Sequence, residues 1–423
     1  MKRTIKLAVA AAVALTSTAA FATNGDNLIA VGAKARGMGG VGIGMSHGAE
    51  SALSNPAMIT TVKGTEISFG GTVFMPNVET DMGTGGGSLK SAADLSVIPE
   101  VAIAQKVSDN LTWGIGMFGT AGMGVDYRDG LNSYNSTAVA TQMRVIYGAY
   151  GAQAAQGYVM SELAKGNFNM VTNLQLMQFA VPLAYKAAGF SVGIAPVLQY
   201  GSLDINYNLA DASANLISGN TKGVAQDFGF GYNLGLGYTE SGLTVGATYK
   251  SAIDMVYKGQ ISQAMKDFTG TLGSDHLEQP AEIGLGTSYT FSGNTVALDY
   301  KRVNWASAKG YKDFGWEDQD VYALGYQYAQ DAWALRAGYN YAKSAIKSNV
   351  NTTLNTLNLL GFPATVEKHY TMGGSYGFSK STSVDLAYVY ASAKNQAYSN
   401  MLMATTTTKH NQDAVSVQLN LNF

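Results

Sequence analysis

The C-terminal stretch Asp413-Ala414-Val415-Ser416-Val417-Gln418-Leu419-Asn420-Leu421-Asn422-Phe423 alternates between apolar and polar side chains. Successive side chains of a β-strand point to opposite faces, so this stretch predicts a strand with one apolar and one polar face. Its length suits a tilted strand that crosses a bilayer, which takes about 9–11 residues. An edge strand of a soluble β-sandwich is the alternative, and the rest of the chain decides between the two.

The first 22 residues have the composition of a secretory signal peptide. Three basic residues among the first six precede an apolar stretch at 7–20, and Ala20-Phe21-Ala22 fits a small-residue cleavage site. We therefore expect export, and a mature chain that begins at Thr23.

The composition indicates a membrane β-barrel. Charged residues make up 13% of the 423 residues, about half of the usual ~25%. No apolar run reaches the ~18 residues of a membrane helix. The 50 glycines and 25 tyrosines fit strands that dilute apolar with small residues and carry aromatic girdles. A net charge of −2 gives no reason to expect a nucleic-acid partner, and without cysteine the fold has no disulfide to stabilise it.

Fourteen segments follow the same two-residue alternation. They lie at residues 67–75, 97–107, 111–117, 174–185, 190–200, 228–238, 243–249, 283–291, 296–300, 322–328, 333–341, 370–378, 384–390 and 413–423. The fourth segment changes phase near Gln178, which predicts a β-bulge there.

The connections alternate between short turns and long loops. The short turns lie at 108–110, 187–189, 240–242, 292–294, 330–331 and 379–381, and the long loops near 77–96, 120–172, 206–223, 258–279, 305–319, 344–366 and 394–411. This alternation is typical of outer-membrane barrels. The sequence therefore predicts an all-β fold, a 14-stranded antiparallel transmembrane β-barrel in the outer membrane of a Gram-negative bacterium.

The longest loop carries an apolar pattern with helical spacing. Its apolar positions are i, i+4, i+7, i+8 and i+11, occupied by Val139, Met143, Ile146, Tyr147 and Tyr150. Weaker helical patterns occur at 209–217, 261–272 and 354–360. Two compatible interpretations stay open, in which these residues either cap the barrel by packing together or form a landing groove for an apolar ligand.

Two N-terminal strings resemble the plug of the FadL-like family of outer-membrane transporters for long-chain fatty acids and other hydrophobic compounds. They are Gly32-Ala33-Lys34-Ala35-Arg36-Gly37-Met38-Gly39-Gly40 and Ala52-Leu53-Ser54-Asn55-Pro56-Ala57. Further matches are Ile98-Pro99-Glu100, Val245-Gly246-Ala247-Thr248-Tyr249-Lys250-Ser251, Gln279-Pro280-Ala281, Leu335-Arg336-Ala337-Gly338-Tyr339 and the terminal Phe423. The resemblance implies a barrel closed by an N-terminal hatch, with hydrophobic substrates captured by outer loops and released sideways through a gap beside a kinked third strand.

We expect the signal peptide at 1–22, the hatch at 23–64 and the barrel at 65–423. The hatch residues are Gly39, Gly40, Asn55, Pro56 and Ala57. Glycines allow close packing and free turning, and a proline restrains the residue before it to an extended or turn conformation. The alternative, a flexible tether, would leave many apolar residues in water.

The third strand carries five glycines that would permit a kink beside the lateral opening. They are Gly114, Gly116, Gly119, Gly122 and Gly124. The alternative is that glycine is common throughout the chain, with 50 among 423 residues. One departure from the family is the long loop between the third and fourth strands, since we would expect the apolar loop helices later in the chain.

Few charged residues fall on inward positions of the wall. Lys301 and Arg336 are candidates for binding a carboxylate headgroup. In the alternative, they pair with Asp299 and Asp385 and brace the wall.

We interpret the chain as a passive channel for hydrophobic molecules, with long-chain fatty acids as the first candidate and aromatic or aliphatic hydrocarbons as the alternative. The expected mechanism combines capture on outer loops, hatch movement and lateral release. The four histidines show no metal spacing, so we expect no cofactor, no metal and no enzymatic activity. A polar-solute porin is less favoured because of the plug and the apolar loops. We expect a monomer in contact with outer-membrane lipid and lipopolysaccharide.

Overall fold

The computed structural model describes residues 24–83, 87–128, 145, 148–151, 169–210, 216–219, 223–271, 273–401 and 403–423. Within these ranges most elements are strands, and the helices are short. The strands are β1 Thr65–Asp81, β2 Ser88–Lys90, β3 Ser96–Lys106, β4 Leu111–Asp126, β5 Asn169–Ala180, β6 Leu183–Ala187, β7 Phe190–Ala210, β8 Leu216–Gly219, β9 Ala225–Glu240, β10 Leu243–Lys250, β11 Glu282–Phe291, β12 Asn294–Val303, β13 Gln319–Gln330, β14 Trp333–Ala342, β15 Lys368–Gly377, β16 Thr382–Ser399 and β17 Thr405–Asn422. The helices are α1 Ala33–Gly37, α2 Ser51–Ser54, α3 Ile261–Thr269 and α4 Thr352–Thr356, with 3-10 turns at Gly48–Glu50 and Pro56–Thr61 and a π-helical turn at Leu357–Gly361.

The strands close into one antiparallel barrel of fourteen wall strands. β1 pairs with β17 along its whole length and with β3 on its other side. β5 and β6 together form one wall strand, because both pair with β4 and with β7. β2 and β8 are short additional strands on β1 and β7. The predicted fold class is confirmed, and closure pairs each wall strand with a neighbour on both sides over most of its length.

Apolar side chains point outward around the wall. Along β9, Phe228 is 58% exposed, Phe230 78% and Leu236 57%, while the glycines between them face the bore. These exposed side chains form the apolar band that contacts lipid. Among the described residues, no helix is both long enough and apolar enough to cross a bilayer.

The predicted short turns lie where the sequence indicates them. Ala188, Ser241 and Ser292 have φ values of 49°, 49° and 47°, and the glycine after each has φ between 80° and 85°. Two successive residues with positive φ match the twist of antiparallel strands, which explains the small residue followed by glycine.

The predicted bulge at Gln178 is wrong. β5 keeps one register with β7 from Asn169 to Ala180, and the extra residue lies instead in β4, between Gly119 and Ala121. The apolar residues change face along β5 and β6 without a bulge, because the bore is itself lined by apolar side chains at Leu174 and Leu176.

Several strands are longer than the alternation predicts. β7 continues to Ala210, and β16 and β17 reach Ser399 and Thr405, so the predicted loops at 206–223 and 394–411 are partly strand. The described ends of the pattern at 209–217 pair as strands, Leu209 with Ile217 and Ala210 with Leu216, whereas α3 and α4 form at the other two weaker helical patterns.

Candidate functional site

Residues 24–62, here called the N-terminal segment, lie in the bore of the barrel. Their hydrogen bonds reach β3, β9, β12, β14, β15 and β17. Contacts with strands so far apart around the wall require the segment to cross the bore.

Asn55 fastens the segment to the wall at the string Asn55-Pro56-Ala57. Its amide nitrogen donates to the carbonyls of Ile43 at 2.8 Å and Leu236 at 3.1 Å. Its amide oxygen accepts from Ala57 N at 3.1 Å, and Pro56 starts the 3-10 turn. This one side chain therefore joins two parts of the segment to β9.

Gly39 and Gly40 lie where the segment backbone touches β13 and β14. Their φ values are 72° and 90°, a region that disfavours side chains. A Cβ on Gly39 would lie 2.6 Å from the backbone of Leu324 and of Tyr339. Gly39 also donates to Thr371 Oγ1 at 2.9 Å. Gly39 is therefore required by a backbone in direct contact with the wall, whereas a Cβ on Gly40 would lie 2.7 Å from Ile29 O within the segment.

Two carboxylates of the wall hold the segment. Asp299 on β12 accepts from the backbone nitrogens of Gly42 at 2.6 Å, Ile43 at 2.7 Å and Gly44 at 3.2 Å. Glu100 on β3 pairs with Arg36, and both side chains are buried. Successive backbone N–H groups form a nest for an anion, so Asp299 seats the glycine-rich loop.

The bore contains cations that are paired with carboxylates. Lys250 and Lys301 lie 3.4 and 3.6 Å from Glu282 Oε2. Arg336 lies 3.7 Å from Asp385 Oδ1 and donates to Gln327 and Ser375. Both headgroup candidates thus have acidic neighbours. Arg336 lies beside Asp385, as the pairing alternative predicts, whereas Lys301 pairs with Glu282 rather than with Asp299.

Lys34 joins the same polar side of the bore. Its Nζ lies 3.4 Å from Glu50 Oε1 and 3.7 Å from Asp385 Oδ2. Asp385 therefore contacts both a segment cation and a wall cation.

The bore is apolar on one side and polar on the other. The buried residues of β4, β5 and β7 are mainly apolar, among them Met123, Val125, Met170, Leu174, Leu176, Val197, Leu203 and Ile205. Those of β14 to β17 are mainly polar, among them Asn340, His369, Thr371, Asp385, Gln412 and Gln418. An apolar molecule inside the barrel would therefore follow the β4–β7 side.

A buried aromatic cluster lies over the start of the N-terminal segment, and sequence reasoning missed it. The ring centroids of Trp305, Tyr311 and Trp316 are 4.6–5.2 Å apart. A Cβ on Gly25 would lie 2.5 Å from Trp305. The density of aromatic residues in the predicted loop at 305–319 was the available signal.

Asp26 links this cluster to β4. Its carboxylate accepts from Tyr311 Oη, and Gln279 Nε2 lies 3.5 Å away. Burial raises the pKa of the Asp26 carboxyl to about 7, against the effect of these hydrogen bonds. Its backbone carbonyl accepts from Gly122 N at 3.0 Å.

β3 and β4 separate where β4 bends into the bore. Their pairing ends at Glu100 and Phe118, although β3 begins at Ser96 and β4 continues to Asp126. Beyond the one-residue bulge, Thr120 O accepts from Leu28 N of the N-terminal segment at 3.0 Å. The wall here has a gap, called the β3–β4 gap, with the segment behind it.

Two cavities meet at this gap. One of about 50 Å³ lies in the gap itself, lined by Leu28, Ile98, Gly119 and Tyr200 among others. A second of about 90 Å³ lies deeper, beside the segment and the Lys301 side chain. Leu28 lines both, so it separates the inner cavity from the gap.

The five glycines of β4 have different surroundings. Gly114 and Gly116 face Ala104 and Ala102 in the regular β3 pairing. Gly119 lies at the gap, Gly122 bonds to the segment, and Gly124 pairs with Asn173 of β5. The structure brings only part of the predicted set to the gap.

The predicted loop groove lies largely outside the described residues. Val139, Met143, Ile146 and Tyr147 fall there, and Tyr150 is 80% exposed.

A sequence model of the family described as outer membrane protein transport protein (OMPP1/FadL/TodX) matches residues 8–423. A curated relative is the 47 kDa outer membrane protein of Pasteurella multocida. It is 22% identical over 403 residues, which cover 84% of this chain and 86% of the relative.

Two solved structures have a similar fold. The toluene transporter TodX of P. putida has a TM-score of 0.67 at 19% identity, over 94% of this chain and 99% of that one. A FadL homologue of Pseudomonas aeruginosa has a TM-score of 0.66 at 14% identity, over 96% of this chain and 100% of that one. Both agree with the closed barrel.

Proposed function

We propose, from the premise that this chain belongs to the OMPP1/FadL/TodX family of outer-membrane transport proteins, that it takes up uncharged hydrophobic small molecules such as aromatic or aliphatic hydrocarbons. As a hydrophobic compound transporter of the outer membrane it needs no energy source beyond the concentration difference and the removal of apolar surface from water. That transfer contributes about 25 cal/mol per Å².

The observation that carries the proposal is the apolar side of the bore, which leads to a gap in the wall. Leu176 lines the gap itself, and Leu174 and Val197 are buried on the same side of the bore. A polar solute would lose its hydration there, whereas an apolar molecule would not. Beyond the gap lie outward-facing side chains and lipid, so exit is sideways.

The paired cations favour an uncharged ligand over a fatty acid. Lys301 and Arg336 already contact carboxylates, and a fatty acid would have to compete with Glu282 or Asp385. Removing either partner from such a buried pair is costly.

The body of the N-terminal segment stays seated in this proposal. The Asp299 nest, the Arg36–Glu100 pair and the Asn55 bonds hold residues 32–62 at separate points of the wall. We propose that only the first part of the segment, around Leu28, adjusts when a ligand passes from the inner cavity to the gap.

Long-chain fatty acids remain the second candidate because two lysines share one carboxylate at the inner cavity. A ligand carboxylate could approach Lys250 and Lys301 beside Glu282.

The two candidates are separated by uptake of radiolabelled toluene and oleate into cells that lack their own family transporter. We expect the protein to accelerate toluene uptake, and Lys301→Ala and Arg336→Ala to retain it within about twofold, because an uncharged ligand forms no ion pair with either cation. Oleate uptake that exceeds toluene uptake and falls at least tenfold in Lys301→Ala would instead favour fatty acids. If neither compound enters faster than in cells without the protein, the proposed function is wrong.

A further inference from the structure

The bend of β4 brings its outer face against the inner face of β3. Gly119 pairs with Met177, on the lipid-facing side of β5, yet a Cβ on Gly119 would lie 2.5 Å from Ile98 Cγ2. Ile98 points into the bore, where it is 1% exposed. The two strands therefore overlap, with the Ile98 side chain between them.

Side chains rather than backbone pairing close this overlap. Residues 96–99 of β3 pair with β1, and in the described part of the chain no ladder pair joins them to β4. Leu28, Phe74 and Val389 pack with Ile98 in one buried cluster. A change in the Ile98 side chain can therefore open the gap without breaking any strand pairing.

The cavities are too small for a ligand in this conformation. The gap holds about 50 Å³ and the inner cavity about 90 Å³, whereas a cavity of about 150 Å³ accommodates benzene. Ile98 lines the gap together with the lumenal Leu28 and the lipid-facing Tyr200. Even a single aromatic ring must displace the Ile98 side chain.

We propose that Ile98 is the gate of the β3–β4 gap and limits the size of the molecules that leave through it. The inference rests on the proposed lateral exit and assigns its control to one side chain. Rotation of Ile98 away from Gly119 opens the gap to the membrane, and the adjustment of Leu28 joins the gap to the inner cavity. The return of Ile98 closes the wall while Arg36 and Glu100 hold β3 in place.

The first test compares initial uptake rates of radiolabelled toluene and naphthalene in cells. Ile98→Ala should raise the naphthalene-to-toluene ratio at least threefold, and Ile98→Phe should lower uptake of both at least fivefold. Ile103→Ala, on the lipid-facing side of the same strand in the paired region, is the control and should leave the ratio unchanged. A ratio in Ile98→Ala equal to that of the wild type would overturn the gate.

The second test does not depend on transport. The chain has no cysteine, so a single Ala121→Cys in the wall of the gap can be labelled in proteoliposomes with a lipid-soluble alkyl maleimide. Adding Ile98→Ala should accelerate labelling at least fivefold, and the equally buried Ala102→Cys on β3 should not respond. Equal labelling rates with and without the Ile98→Ala substitution would exclude Ile98 as the gate. Because labelling does not require transport, this measurement tests the gate even if neither hydrocarbon is taken up.

Discussion

At the residue scale, buried carboxylates organise the bore because each has donors that offset its desolvation. Asp299 accepts three backbone N–H groups, and Glu100 pairs with Arg36 while accepting from Gly32 N at 3.1 Å. The donors to Asp26 are neutral side chains that offset its desolvation less well, so burial raises the pKa of its carboxyl to about 7. A hydrogen-bonded network of this kind fixes one conformation, since an unpaired buried charge is costly.

Asp26 should make the stability of the protein depend on pH. Its folded pKa of about 7 lies above the ordinary value of 3.8, so the folded state binds more protons between these values. Its stabilising contribution is therefore present below about pH 4 and is lost as the pH rises through 7. Asp26→Asn keeps an acceptor for Tyr311 and removes the titration.

Thermal unfolding in detergent at pH 5 and pH 8 checks this prediction. The wild-type Tm should fall by several degrees more than that of Asp26→Asn over this interval. Asp109→Asn, whose side chain is 98% exposed, should behave as the wild type. Identical pH slopes for wild type and Asp26→Asn would show that Asp26 does not titrate in this range.

At the element scale, inward-facing glycines let the N-terminal segment lie directly on the strands. A Cβ on Gly235 would lie 2.1 Å from Asn55 Oδ1, and one on Gly338 would lie 2.1 Å from Gly39 N. Gly44 has the same relation to β11, where a Cβ would lie 2.2 Å from Thr287 N. The fit between segment and wall therefore depends on missing side chains on both surfaces.

Gly44→Ala should loosen the segment and raise the leak of small polar solutes. The new methyl group would overlap the β11 backbone, which cannot rotate away as a side chain can, so the loop at 42–44 must leave its nest at Asp299. We expect at least a threefold rise in ion conductance in planar bilayers, with the barrel intact by circular dichroism. Gly374→Ala, with its nearest atom at 3.5 Å, is the matched control; equal conductance in both variants would contradict a sealing role for the segment.

The sequence predicts elements well where one simple rule operates. Outward side chains meet lipid all around the wall, so two-residue alternation identifies strands such as β9 and β17. Alternation fails beyond the lipid, where both faces are polar and β16 continues to Ser399. Alternation also predicts a bulge at Gln178 wrongly, because the inward-facing side chains of β5 change there from apolar Leu176 to polar Gln178. The bulge lies instead in the neighbouring strand β4.

At the scale of the whole molecule, the proposed function depends on the asymmetry of the bore. The apolar side formed by β4 to β7 adjoins the gap, and the polar side anchors the N-terminal segment. This arrangement depends on contacts between residues far apart in the chain, such as Leu28 with Thr120 and Asp26 with Tyr311. A local sequence pattern cannot show such pairs. The family resemblance predicts a wall opening near β4, but nothing in the sequence predicts the position of Ile98 in that opening or the aromatic cluster.

Exit of hydrophobic molecules through the β3–β4 gap is tested most directly by a reversible disulfide across the gap. A Cβ on Gly119 lies 3.7 Å from Ile98 Cβ, close to the mean of about 3.8 Å for disulfides. In the Ile98→Cys, Gly119→Cys variant, the oxidised protein should lose at least 90% of toluene uptake and regain it with reductant. Uptake by the oxidised protein equal to that of the reduced protein would contradict lateral exit through this gap.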